Sequence, residues 1–344
     1  MMLMQQQGGV LVSADEVERV LAELDASYLL ESERFLKAKE EIVSRFVESP
    51  VRPCSHCGRA YPDSPEALRE RLDEILHAPP ISPPPEARLK ALIAPHIDLS
   101  AGTRVYSSAY GCLRQSAATR VIVLGVGHQM RGDLFCMTEK DFETPLGTLR
   151  TDKAAVERLS EAGGAILAEN DFVFKHEHSV EFQVLFLQHL MAEQDFTLVP
   201  LLCGPLLGVL SEYSRGAYLA AASPFLEVLS GILAEADEET LVVAGVDFSH
   251  IGPKFGHDRP ATYLEARAEA HDQALLNAIS AGDASAFWQE SIRVEDAYNV
   301  CGFSAVACLL EVLPPSPVHI LGHQFWHEAP TQSAVSFAAV AFTE

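Results

Sequence analysis

The chain has 344 residues, of which 48% are hydrophobic and 21% charged. With a mean hydropathy of +0.09 it can bury a full core, which excludes an acidic disordered protein, and its length suits one large domain or two smaller ones. The 25 basic and 48 acidic side chains leave a net charge of −23 with no basic run, which excludes nucleic acid as a partner by repulsion from its phosphates.

In chain order, Met1–Val12 lacks the basic start and long apolar run of a secretory signal. No later window offers the roughly 18 consecutive apolar residues of a membrane span. A cytoplasmic protein with no membrane partner is expected, and an odd count of seven cysteines then points to reduced thiols rather than a disulfide framework. Residues 14–48 read as two helices. Val17, Val20, Leu21 and Leu24 recur at helical spacing, Ser13 is placed to cap the first helix, and the pattern breaks near Ser27–Ser32. The stiff Pro50-Val-Arg-Pro53 connector closes a helical N-terminal extension, residues 1–53, ahead of an α/β domain over residues 54–344. Ser64 and Pro65 cap and open another helix, and residues 79–85 are a Pro-rich spacer. From Leu89 the rhythm changes. Short apolar runs at Ala91–Ala94, Val121–Leu124, Leu198–Leu202, Leu241–Ala244 and Pro317–Leu321 alternate with amphipathic stretches. This predicts an α/β fold with a mixed, largely parallel central sheet flanked by helices.

In such sheets functional groups gather at the carboxyl ends of strands. One run leads to His96 and Asp98, a second through Gly125 and Gly127 to His128, and a third to Asp247 and His250. The two glycines would let the backbone pass close to whatever the imidazole binds. His178 and Glu181 stand three apart at a helix start and share a face. A lone loop histidine usually caps a carbonyl or meets solvent, but a parallel sheet brings several strand tips together. Two imidazoles and one anionic group suit iron, copper or zinc. Cys301, in Asn299-Val-Cys-Gly302 before an apolar helix over Phe303–Leu313, is the best anionic candidate, since a helix N-terminus lowers a thiol's pKa; Cys308 reads as core. Cys54-Ser-His-Cys57 invites a zinc or redox reading, but one such pair is half of a structural zinc site, and with His56 it still lacks a fourth ligand. His319, His323 and His327 read as surface or packing residues. There is no phosphate-binding loop, no dinucleotide fingerprint and no nucleophile elbow.

Six motifs in order, Gly58-Arg-Ala-Tyr-Pro-Asp-Ser-Pro, Ile93-Ala-Pro-His96, Leu124-Gly-Val-Gly-His128, Glu177-His-Ser-Val-Glu181, Asp247-Phe-Ser-His250 and Cys301-Gly302, resemble the MEMO family, the system protein B found beside an AMMECR-type and a radical-SAM protein. Thr144–Asp152 and Ser333–Phe337 are similar to two further family segments, so the resemblance covers about residues 57–344. It implies a fold like that of class III extradiol dioxygenases, with a non-heme metal held by His96, His128 and Cys301. It further implies His250 as an acid–base group, and Asp247, His178 and Glu181 lining or bracing the pocket. AMMECR-type and radical-SAM proteins are the partners it implies. The chain departs from the family at Ile97-Asp98-Leu99 and at Gly127, both at the pocket mouth. It also offers Cys301 where the dioxygenases use a carboxylate, a role Asp98 could take instead.

The favoured expectation is a redox enzyme that uses iron(II), with copper or zinc as alternatives, and acts on a small-molecule substrate with His250 moving a proton. Against it stand a non-catalytic metal- or peptide-binding adaptor and a zinc hydrolase built on the same pocket.

Overall fold

The structure, a computed structural model, describes residues 13–235 and 239–344, and only the backbone of Arg114 and Gln115. Met1–Val12, from which the absence of a signal was read, lie outside the described residues. The chain divides into two compact units, Met1–Ser49 and Pro50–Glu344. The first holds α1 (Ala14–Ala26) and α2 (Glu33–Val47). Ser13 and Glu16 form a reciprocal capping box on α1, and Ser32 caps α2, each satisfying amide groups that a helix start leaves without partners.

The second unit runs β1 (Val51–Arg52), α3 (Pro65–Leu76), β2 (Leu89–Ala94), α4 (Thr103–Tyr110), β3 (Arg120–Val126), β4 (Phe135–Met137), β5 (Asp141–Thr144) and β6 (Gly147–Leu149). It continues with α5 (Lys153–Gly163), α6 (His178–Leu190), β7 (Thr197–Cys203), α7 (Arg215–Leu233), β8 (Thr240–Gly245) and β9 (His250–Ile251). It ends with α8 (Glu265–Ser280), α9 (Ala284–Val294), α10 (Phe303–Val312), β10 (Val318–Glu328) and β11 (Ser333–Thr343). The main sheet has the order β10-β11-β2-β8-β3-β7-β4, with β9 beside β11. Strands β2, β8, β3 and β7 are mutually parallel, while β4, β10 and β11 run antiparallel to their neighbours. The fold is therefore mixed α/β. A small second sheet, β1-β5-β6, stands apart.

The parallel strands are buried on both faces, which is why they read as unbroken apolar runs. Ile93, Ile122, Leu124, Val242 and Ala244 share a core with α5, α7 and α10. Alternate positions turn to the opposite face, where α4 and α6 lie and stack Tyr106, Tyr110 and Phe186, the last two rings 4.2 Å apart. Helix α7 is long and apolar enough to cross a membrane, although no unbroken apolar run announces it. Tyr218, Phe225, Leu229 and Ile232 sink into the core of the sheet, so its apolarity is accounted for by packing. His319, His323 and His327 lie on β10, where they meet Thr343, buried Asp272 and Glu265.

Candidate metal site

The register of the sheet builds the site. Ala94 pairs with Gly245, so the chains leaving β2 and β8 run side by side. Two residues on, the His96 amide donates to Asp247 Oδ1 at 3.0 Å, and His96 Nδ1 donates to the Gly245 carbonyl at 2.8 Å. A carbonyl only accepts, so the Nδ1–H tautomer is fixed and Nε2 keeps its lone pair. One strand over, past the end of β3, Glu177 receives the His128 amide at 3.2 Å and its Nδ1 at 2.9 Å. The same carboxylate caps α6 by accepting from Ser179 N.

Cys301 arrives on a loop in which Glu295, Asp296 and Asn299 all adopt left-handed backbone, with φ of 53°, 52° and 50°. Such conformations persist where the surroundings hold them. Here Asp296 accepts the Val300 amide, Asn299 donates to the His250 and Phe255 carbonyls, and the Gly302 amide donates to the Asp247 carbonyl. Cys301 Sγ lies 3.5 Å from His96 Nε2. Ligand atoms of His96, His128 and Cys301 all fall within 4.8 Å of one another.

The donor set fits a transition ion. Bonds of about 2.0 Å to nitrogen and 2.3 Å to sulfur at a tetrahedral angle would set Nε2 and Sγ about 3.5 Å apart, matching the spacing seen. Each imidazole has its second nitrogen engaged by an acceptor, the arrangement that orients ligating histidines. Glu177, His128 and His178 form a second group of ligand atoms within the same limit, but there Glu177 is already committed to His128 and to the helix cap.

Electrostatics sort the imidazoles. Burial, then the nearness of His128, pushes His96 down to about 3; burial, then His96, does the same to His178. Both are neutral, the form that binds metal. Burial would lower His128 too, but the Glu177 hydrogen bond and charge outweigh it and raise its proton affinity, while Glu177 itself is held down to about 2 against the opposing effect of burial. Burial raises Asp247 to about 6 and lowers His250. The Cys301 thiol is pushed well up, chiefly by burial and next by Asp247. That corrects the expectation of a thiolate prepared by the helix start, because desolvation outweighs the partial charge of the helix end. A bound cation would itself have to displace the proton.

The cluster opens on two cavities. One, of about 450 Å³, is walled by His56, His96, His128, His178, Asp247 and His250 and rimmed by Asp98 and Lys254. The other, of about 780 Å³, runs from His128, His250 and Cys301 past Met130, Leu206 and Phe303. His250 faces both. Its Nδ1 donates to the Phe248 carbonyl at 2.9 Å, leaving Nε2 available.

Asp98 is exposed at the rim, with Oδ1 taken by the Ser100 amide at 2.8 Å; it stands outside the group of converging ligand atoms. Glu181 turns away from His178 toward Arg52, Tyr61, Ser55 and His56, so it braces the loop behind the pocket wall. Cys54 and Cys57 are joined by a disulfide, which corrects the expectation that all thiols are reduced and removes both as zinc ligands in this state. Gly125 and Gly127 also differ from the sequence reading. A Cβ at Gly125 would meet Ser179 Oγ at 2.6 Å, and one at Gly127 would meet Met130 Sδ at 2.2 Å, so the glycines make room for α6 and Met130 rather than for a ligand. Two residues escaped the sequence reading. Glu177 adjoins His178, and an acidic residue beside a candidate histidine is a usable signal for an orienting carboxylate. Arg52 gave no signal beyond its place between prolines.

A family model described as Memo-like protein matches residues 52–341. A MEMO1 family protein of Thermus thermophilus is 30% identical over 95% of this chain and 93% of its own length. One from Aquifex aeolicus is 28% identical over 97% of this chain and 84% of its own, a share that has to include most of the N-terminal unit. A third, from Methanococcoides burtonii, is 26% identical over 76% of this chain and 86% of its own. Matched over most of its length by the family model and along nearly all of it by the Thermus protein, the chain belongs to the Memo-like protein family.

Proposed function

We propose that His96, His128 and Cys301 hold a non-heme metal, iron(II) first and copper or zinc as alternatives, and that the protein carries out dioxygenase-like redox chemistry on a small molecule. The observation that carries this reading is the convergence of two oriented imidazoles and one thiol at the meeting point of two cavities. Its oxidisable sulfur ligand limits the reading to redox chemistry in general, because thiolate donates more charge than the carboxylate of ring-cleaving enzymes.

When bound, the cation supplies Lewis-acid and electron-transfer chemistry. The chain's own groups do the rest. Neutral His250, anchored through Nδ1, presents Nε2 to substrate as the acid–base group. Asp247 stabilises a proton gained there by its charge, and is itself held by the His96 amide. The apolar walls of the larger cavity bury the substrate body and limit water. The cytoplasm belongs to the proposal as the compartment. AMMECR-type and radical-SAM proteins belong to the proposal as partners, testable by co-purification.

The test is metal analysis of anaerobically purified protein with oxygen uptake on small phenols. One iron per chain and substrate-dependent uptake are expected. His128→Ala should lose the metal with an unchanged circular dichroism spectrum, since about a third of that side chain is already open to solvent. Full metal content in that variant overturns the ligand set. Stoichiometric zinc without oxygen uptake would turn the reading to hydrolysis, and unaltered partner binding by an inactive His250→Ala variant would leave enzymatic turnover separate from any adaptor role.

A further inference from the structure

Cys54 and Cys57 are bridged, while Cys112, Cys136, Cys203, Cys301 and Cys308 are free. A bridge between residues three apart closes a very small loop and removes little entropy from the unfolded chain. Nor does the segment depend on it for anchorage. Glu181 accepts from the Ser55 and His56 amides, the Ser55 and Tyr61 hydroxyls and Arg52. Both bridged cysteines are only half-buried. A bridge that staples little and meets solvent, in a chain whose other cysteines are free, has the character of an exchangeable pair.

Between the two cysteines sits His56, whose ring forms part of the wall of the 450 Å³ cavity. It lies 5.8 Å from the His178 ring and 5.9 Å from Phe182. The disulfide thus closes a four-residue ring around a side chain of the pocket wall.

We propose that Cys54 and Cys57 form a reversible thiol–disulfide site for small thiols, and that its state sets the position of His56 in the pocket. A thiolate of the reductant attacks one bridge sulfur. A new S–S bond forms there as the Cys54–Cys57 bond breaks, and the departing cysteine sulfur takes a proton from solvent. A second thiol then displaces the remaining cysteine from the mixed disulfide. Two thiols leave as one oxidised disulfide, and the protein keeps both electrons and protons as two thiols. Glu181 holds the Ser55 and His56 amides throughout, so the backbone stays in place and the change falls on the His56 ring, whose Nδ1 lies 2.8 Å from Ser55 Oγ in the bridged state. The proposal requires no cation at His96.

The experiment equilibrates chelator-treated, full-length protein across a series of reduced to oxidised glutathione ratios. Alkylation then quenches exchange, and peptide mass spectrometry reads each cysteine. Cys54 and Cys57 should pass together from bridged to doubly alkylated, while buried Cys136, Cys203 and Cys308 stay unmodified. A bridge that survives a large excess of reduced glutathione in folded protein overturns the proposal, as do cysteines free at every ratio. Imidazole NMR on the same samples tests the link to the pocket. His56 and His178 resonances should shift on reduction more than those of His271 and His319, and Cys54→Ser/Cys57→Ser protein should hold the reduced positions in any buffer. Unmoved His56 and His178 resonances would refute that link while leaving the metal reading untouched.

Discussion

One turn of α6 separates two buried polar clusters with opposite characters. Glu181, fully buried opposite fully buried Arg52, is surrounded by donors from Ser55, His56 and Tyr61 that occupy both of its oxygens. Glu177, at the helix start, satisfies itself on His128 and Ser179 but leaves its imidazole partner with a lone pair beside an open cavity. The first cluster spends its hydrogen bonds on architecture. The second uses its carboxylate to orient an imidazole that lines that cavity. Buried charge by itself does not distinguish a site from a brace; the unspent acceptor does.

The sharpest way to break that comparison is Glu181→Ala. It strands the Arg52 charge in the interior, and loss of one partner of a buried pair costs about 3–5 kcal/mol, read as a lower urea midpoint. A shift within error would mean the cluster is not a brace. Glu177→Gln should cost less stability than Glu181→Ala, because the amide oxygen still accepts from Ser179, but weaken metal binding about 10–100-fold, the usual effect of removing a carboxylate behind a ligating histidine, measured by competition with a chromophoric chelator. Equal losses of stability in both variants would erase the distinction drawn here.

Acid sharpens it further. Burial alone would raise Glu181, but hydrogen bonds from His56, Arg52 and Tyr61 hold it far below the usual carboxylate range. A depressed folded pKa means that the unfolded chain binds the proton first. The stabilisation is complete above the unfolded value of about 4.3 and is lost as pH falls toward the folded one. The urea midpoint should therefore drop below about pH 4.3 more steeply than in Glu181→Gln protein; parallel profiles would exclude Glu181 as the source. The smallest effect belongs to the other unit. Ser13→Ala removes the capping box of α1 and should cost about 1 kcal/mol locally, seen as faster amide exchange in the first turn and no change at the metal site.

Much of this architecture is legible in the amino-acid order. Strands β2, β3, β7 and β8 declare themselves because burial on both faces demands continuous apolar residues, and Ser13 and Ser64 mark helix starts because a helix end needs an acceptor. Strands β4, β5 and β6 escape because three or four residues are too few to carry a period. The run Pro317–Leu321 shows only the start of β10, whose later residues are half-exposed histidines and aromatics.

The chemical types needed at the site, the imidazoles of His96, His128 and His250, the carboxyl of Asp247 and the thiol of Cys301, are properties of the sequence, as is their placement just past strand ends or before a helix. What only the tertiary structure decided is which of their atoms remain free. Gly245 and Glu177 take the Nδ1 positions, the Ser100 amide occupies Asp98, burial keeps the Cys301 proton in place, and α6 claims the room beside Gly125. Hydrogen bonds and desolvation act over a few ångströms between segments far apart in the chain, so no local pattern can record them.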